Sequence, residues 1–302
     1  MAEELSDSIP VLEVGGTHVT AGWVNAASWQ VSGLSRTELP GDGTAEELIA
    51  LLAGAGARLA APSGAVWGIA VPGPFDYARG VAYYVGVGKF EALAGVDVGA
   101  ALGTALSGRL CFSNDASAYG IGEWLVGAAR GSSRCAVVTL GTGVGSAFLD
   151  NGNSVESGPS VPPEAELHLL SHAGRPLEDR VSRRAIRAAY AAAGGSDAPD
   201  VKEIADRARA GDPLAAEVFA AAFRVLGAVL GPWLRRFEAE LLVVGGSISR
   251  SFDLIEAPLR DGLSAFVDGT FPIRPAGQPE LAPVVGAAYP ASRLVSPPVE
   301  HR

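Results

Sequence analysis

"VLEVGGTHVTAG", Val11 to Gly22, is an apolar run that stops at a Gly-Gly-Thr turn and resumes as an alternating stretch. Alternation on the far side of a short glycine turn is the pattern of a β-hairpin. A single acid, Glu13, lies two residues before the turn. A second stretch, "VVTLGTGVGSAFLDN" from Val137 to Asn151, lies over Val11–Asn25 without gaps, with Gly15 on Gly141 and Val14 on Leu140. Two glycine-rich hairpins could match by chance. The other reading is two related halves, each offering a Gly/Thr turn to one shared cleft.

A turn free of Cβ atoms lets a phosphate chain approach backbone N–H donors closely. Gly15, Gly16 and Thr17 form one such turn, and Gly141, Thr142, Gly143 and Gly145 the other. Glycine in a single hairpin is ordinary. The matched pair is what points to function.

The chain has 302 residues, 48% of them hydrophobic and 39 of them Gly, enough for one large or two ordinary domains with real cores. Its net charge of −10 argues against a nucleic-acid backbone as partner but leaves room for a small anion held by N–H groups. No apolar run is expected to reach the roughly 18–20 residues that span a bilayer. "MAEELSDSIP" is acidic and unlike a signal peptide, so the expected location is cytoplasmic, away from the membrane. Cys111 and Cys135 sit in apolar runs and read as buried thiols in a reducing compartment.

Outward from the hairpins, "TAEELIALLAGAGARLA" reads as a helix capped by Thr44 with Glu47 three residues on. "AVWGIAV" is a buried strand ending at Pro72-Gly73-Pro74, and "RLCFSND" another, followed by a helix from Ala116 to about Gly127. Asp212-Pro213 starts a long helix, expected to bend at Pro232. "ELLVVGG" is a buried strand with a helix after it, and the tail "PPVEHR" reads as loose.

Three further places carry chemistry. Asn114-Asp115 falls where a strand gives way to a helix. Asp115 there is either a helix cap or a carboxylate placed to take a proton from a hydroxyl. Glu166 and His168 in "EAELHLL" would share one side of an extended segment and could grip sugar hydroxyls together. Gly245-Gly246-Ser247 is either a plain strand-to-helix turn or a flat seat for an adenine ring. No Cys/His cluster has zinc spacing.

The order of these motifs resembles the ROK family of sugar kinases, within the actin-like, hexokinase-type ATPases. The family's first phosphate motif resembles "LEVGGTHVTAG", its substrate loop "AVPGPFD", and its Asn-Asp and helix "SNDASAYGIGEW". The second phosphate motif resembles "LGTGVGSAFLDNG", the sugar motif "ELH", the Leu-Glu segment "LEDRVSRRAI" and the adenosine motif "LLVVGGSIS". The resemblance runs from about Ile9 to Leu294.

The resemblance implies an α/β, two-lobed actin-like ATPase (ribonuclease H-like) fold with a cleft between the lobes. The small lobe would span 1–113, with a C-terminal helix at 282–295 returning to it, and the large lobe 114–281. It implies ATP-dependent phosphorylation of a hexose-type sugar hydroxyl with Asp115 as general base. Gly73, Asn114, Glu166 and His168 would contact the sugar, with Glu178 in support. Gly15, Gly16, Thr17, Thr142 and Gly143 would hold phosphates, Gly245 and Gly246 would line the adenosine site, and Glu13 would sit near Mg²⁺. The resemblance also implies a homodimer.

The chain departs from the family pattern in four places. Glu13 stands where the family usually has Asp. No Cys precedes the Leu-Glu segment, so zinc is not expected and the zinc-free, glucokinase-like branch is the nearer one. "YYVGVGKFEAL" lacks the family's Asn-Leu pair. Only about eight residues precede the first strand, which argues against a repressor. Two other readings follow from these departures. One is a sugar-binding or regulatory protein that has lost catalysis, and the other a kinase that uses polyphosphate as donor.

Overall fold

The structure, a computed structural model, describes residues 7–195 and 200–295. The first six residues of the acidic N-terminal stretch and the tail "PPVEHR" lie outside the described residues. The chain divides into two compact units: residues to Val126 together with those from Glu280 onward, and Gly127–Pro279.

In the first unit the hairpin forms as β1 (Ser8–Val14) and β2 (His18–Asn25), followed by β3 (Val31–Glu38) and α1 (Ala45–Ala57). Thr44 caps α1 by accepting the Glu47 N–H at 3.2 Å. Then come β4 (Val66–Val71), the short β5 (Phe75–Asp76) and β6 (Val81–Ala82), α2 (Val98–Leu106), β7 (Arg109–Asn114) and α3 (Asp115–Val126). The main sheet runs β3-β2-β1-β4-β7. The β1–β2 and β2–β3 pairs are antiparallel, and β4 is parallel to both β1 and β7.

Strand alternation sorts β1 between two layers. Leu12 and Val14 join Leu48, Leu52, Trp67 and Leu102 under α1 and α2. Ile9 and Val11 face the other way, into Ala118 of α3 and Val284 and Ala287 of the C-terminal helix, Ala282–Val295. Glu13 continues that second set, which places it on the α3 side of the sheet.

The unit boundary falls after Val126, thirteen residues beyond the expected 113/114 junction. The reason is helix packing. A Cβ on Gly122 of α3 would run into Ala282, and one on Gly286 of the C-terminal helix into Ala118. Glycine at both positions lets the two backbones touch, so α3, with Asn114 and Asp115 at its start, belongs to the first unit.

The second unit opens with β8 (Arg134–Leu140), β9 (Val144–Asp150) and β10 (Asn153–Ser154). The short β11 (Ser171–His172) and β12 (Arg175–Pro176) precede α4 (Glu178–Val181), α5 (Arg183–Ala192), α6 (Val201–Arg209) and α7 (Pro213–Phe237). β13 (Leu241–Gly245), α8 (Phe252–Leu263) and β14 (Ile273–Pro275) complete it. Its sheet, β10-β9-β8-β13-β14, repeats the first sheet's order, with two antiparallel pairs and then two parallel ones. A shared strand order in both units favours related halves over a chance match of hairpins.

The gap-free overlay holds only on the first strand of each hairpin. Val14 pairs with Val19, but Leu140 pairs with Val144, so the second turn is one residue shorter. Gly145 accordingly lies in β9, opposite Thr139, rather than in the turn.

Asp212 caps α7 through the N–H groups of Leu214 and Ala215. The helix runs unbroken through Pro232. Against expectation, it is long and apolar enough to cross a membrane by length and composition. Here Phe219, Phe223, Leu226, Leu230 and Leu234 place one of its faces in the core of the second unit.

Candidate active site

The first turn is closed by Gly15 N–H donating to His18 O at 2.8 Å. Among the described residues no backbone acceptor takes the N–H of Gly16 or Thr17. The second turn closes with Gly141 N–H to Gly143 O at 3.0 Å, and the N–H groups of Thr142 and Gly143 are left in the same way. Each turn thus offers two adjacent N–H donors, which suits an anion.

Glu13 lies directly across from Thr20 in the β1–β2 register. It is half-buried, and desolvation pushes its carboxyl from 4.5 to about 7. A hydrogen bond from Thr20 and the charge of Arg36 oppose that rise, and the charge of Asp115 adds to it. Arg36 also contacts His18 Nδ1 at 2.8 Å; burial and this cation lower the His18 pKa.

Asn114 Oδ1 accepts the N–H groups of Ala116 and Ser117, so the cap of α3 is Asn114. Its Nδ2 donates to the Tyr77 hydroxyl at 3.0 Å. These bonds hold Asn114 in place beside Asp115 and Tyr77. Asp115 Oδ1 accepts the Ala116 N–H at 2.9 Å, and the residue is half-buried. Tyr77 was not singled out from the sequence, although it ends the substrate loop as "PFDY".

Gly73 lies in that loop, before a cis bond to Pro74. The loop is held from both sides: the buried Tyr84 hydroxyl donates to Pro72 O at 2.9 Å, and Tyr83 N–H to Pro74 O at 3.0 Å. Burial drives the Tyr84 pKa far up, so it stays a donor.

In the second unit, Glu166 and His168 meet, with Oε2 and Nδ1 3.0 Å apart. The expected extended segment is instead a pair of short 3₁₀ turns, Pro163–Ala165 and Leu167–Leu169. Ser146 of β9 pins them: its hydroxyl donates to Ala165 O at 2.7 Å and accepts Leu167 N–H at 3.0 Å. Glu178 starts α4, and its Oε2 stands 3.0 Å from where a Cβ on Gly143 would lie. Glu178 therefore lies beside the second turn.

Gly245 ends β13 opposite Thr139. Gly246 has φ +80, and a Cβ there would strike the Leu140 backbone, so only glycine fits. Ser247 Oγ lies 3.5 Å from the Cβ position of Gly141. The Gly-Gly motif and the second turn are thus neighbours. Beside them Thr142, Arg183, Arg184 and Arg187 line a cavity of about 340 Å³. Arg183 is braced by both carboxylate oxygens of Asp200, and its N–H donates to Gly141 O at 2.8 Å.

Among the described residues no group of three or more His, Cys, Asp or Glu side chains forms a metal cage. Mg²⁺ needs none, since it is commonly held by one or two carboxylates, water and phosphate oxygens. Glu13, whose pKa the charge of Asp115 helps to raise, fits that donor chemistry.

The chain is similar to known proteins in sequence and in fold. A glucokinase from Thermotoga maritima is 27% identical over 248 residues, 73% of this chain and 77% of that one. The crystal structure of a ROK family glucokinase from Streptomyces griseus in complex with glucose and AMPPNP superposes with a TM-score of 0.77 at 22% identity. It covers 95% of this chain and 99% of that one. An inorganic polyphosphate/ATP-glucomannokinase from Arthrobacter superposes with a TM-score of 0.68 at 26% identity, over 95% of this chain and 99% of that one. The fold is thus the actin-like ATPase fold of such kinases. The sequence pattern of the ROK family matches residues 10–293, and the chain belongs to that family.

Proposed function

We propose that this ROK protein phosphorylates a hexose-type sugar hydroxyl, with ATP as donor and Asp115 as general base. The observation that carries the reading is the cap at the start of α3. Asn114 takes the helix N–H groups and so holds Asp115 in place on the same unit as the open first turn. The kinase-named relatives support the reaction class.

In this mechanism Asp115 accepts the proton of the sugar hydroxyl as its oxygen attacks the γ-phosphorus. The new O–P bond forms while the bond to the β-bridging oxygen breaks, and ADP leaves with that electron pair. The N–H groups of Gly16 and Thr17, and of Thr142 and Gly143, hold donor phosphates. Gly245 and Gly246 line the adenosine, and Glu166 with His168 binds sugar hydroxyls. Mg²⁺, held beside Glu13, would offset phosphate charge. Most of the rate gain comes from positioning and charge stabilisation.

The test is ADP release measured against a panel of hexoses. Hexose-dependent ADP release supports the reading; no release with any hexose, while glucose still binds, would favour a regulatory sugar-binding protein. A second donor, polyphosphate, is favoured by one observation, the arginine-lined cavity beside Thr142. Measuring sugar phosphate formed with ATP or with polyphosphate as the sole donor decides between them.

A further inference from the structure

Lys89 lies in "YYVGVGKFEAL", the segment where the chain departs from its family. The fold brings it to the first turn. Its Nζ is 3.2 Å from where a Cβ on Gly16 would lie. The stem is packed as well, with Lys89 Cβ 3.5 Å from the Cβ position of Gly41.

The local backbone aims the side chain there. Phe90 adopts φ 56 and buries its ring, 6.1 Å from that of Tyr84. Its N–H donates to Gly41 O at 2.6 Å. Just before it, Gly88 N–H donates to Glu91 Oε1 at 2.9 Å. Lys89 is thus fixed on both sides, and its four-carbon arm reaches the turn.

Among the described residues Lys89 has no ion-pair partner, and its Nζ lies 5.8 Å from the centre of the Phe90 ring. Arg36, the other cation near this turn, is occupied by His18. An unpaired ammonium beside two open N–H donors makes a stronger anion site than either alone.

We propose that Lys89 contacts the terminal phosphate of the donor at the first turn, adding a mobile positive charge to the fixed N–H groups. This rests on the reading of Gly15–Thr17 as a donor-phosphate turn. Lys89 makes and breaks no covalent bond. It donates to a non-bridging oxygen and stabilises the charge that spreads over the equatorial oxygens during transfer.

Two measurements test it on the full chain. In the first, the protein is acetylated with and without MgATP and the lysines are read by mass spectrometry. Lys202, exposed on α6 in the second unit, is the internal control. MgATP should slow Lys89 labelling at least about tenfold and leave Lys202 unchanged. In the second, Lys89→Met keeps the packed stem and removes the charge. The kcat/KM for ATP should fall about 10–10²-fold with sugar affinity within twofold, and Lys89→Arg should regain part of the loss. If the wild type phosphorylates no hexose yet MgATP still shields Lys89, the kinase reading fails and the phosphate contact stands. Unshielded Lys89, or Lys89→Met with wild-type kcat/KM in an active enzyme, overturns the proposal.

Discussion

Asn114 and Asp115 divide between them two duties that one residue could have held. Asn114 Oδ1 accepts the N–H groups of Ala116 and Ser117 at 2.9 and 3.0 Å, capping α3 at the residue before Asp115. Asn114→Ala should therefore cost about 1 kcal/mol of stability. It should also lower turnover, because Asp115 and Tyr77 lose their common brace. Thermal unfolding and steady-state kinetics on the same preparation check both effects. Lowered stability with unchanged turnover would reduce Asn114 to a cap.

Glu13 makes the free protein's stability depend on pH in a definite sense. Its carboxyl titrates near 4.5 unfolded and about 7 folded, so the folded state holds the proton more tightly. The contribution is fully present below about 4.5 and lost as pH rises through about 7. The difference is on the order of 3 kcal/mol. Without Mg²⁺ or ATP, Glu13→Gln should lack this component and be the more stable protein at pH 8. Parallel Tm-against-pH curves for the two proteins would show no such role.

The same residue should matter to the metal. Glu13→Ala is expected to weaken Mg²⁺-dependent turnover more than sugar binding, and Glu13→Asp to be tolerated. Titrating Mg²⁺ against rate, with sugar affinity measured separately, checks this. An unchanged Mg²⁺ dependence in Glu13→Ala would leave Glu13 as a buried acid in a strand.

Zinc should be missing from the purified protein, since no Cys lies near His168 and Glu166 pairs with its ring at 3.0 Å. Elemental analysis returning about one zinc per chain would contradict this.

What was legible in the sequence was local. The two Gly/Thr turns, the Thr44 and Asp212 caps, and the Asn114-Asp115 junction are each decided within a few residues by turn and cap chemistry. What was missed depends on contacts between distant segments. Lys89 reaches Gly16 only because Gly41 and Phe90 are brought together. Tyr77 meets Asn114 only when β7 ends beside the substrate loop. The unit boundary was misplaced for the same reason, since Gly122 and Gly286 are far apart in the chain. Glu166 and His168 were legible as a pair, but Ser146, which folds their segment into turns, carried no local signal.

The central claim is that Asp115 accepts the hydroxyl proton, and Asp115→Asn tests it most directly. The substitution keeps the shape and can still accept the Ala116 N–H, now 2.9 Å from Oδ1. It cannot serve as a base. Turnover should fall by about 10²–10⁴-fold, with sugar affinity and Tm little changed. Near-normal turnover in folded Asp115→Asn would contradict the account.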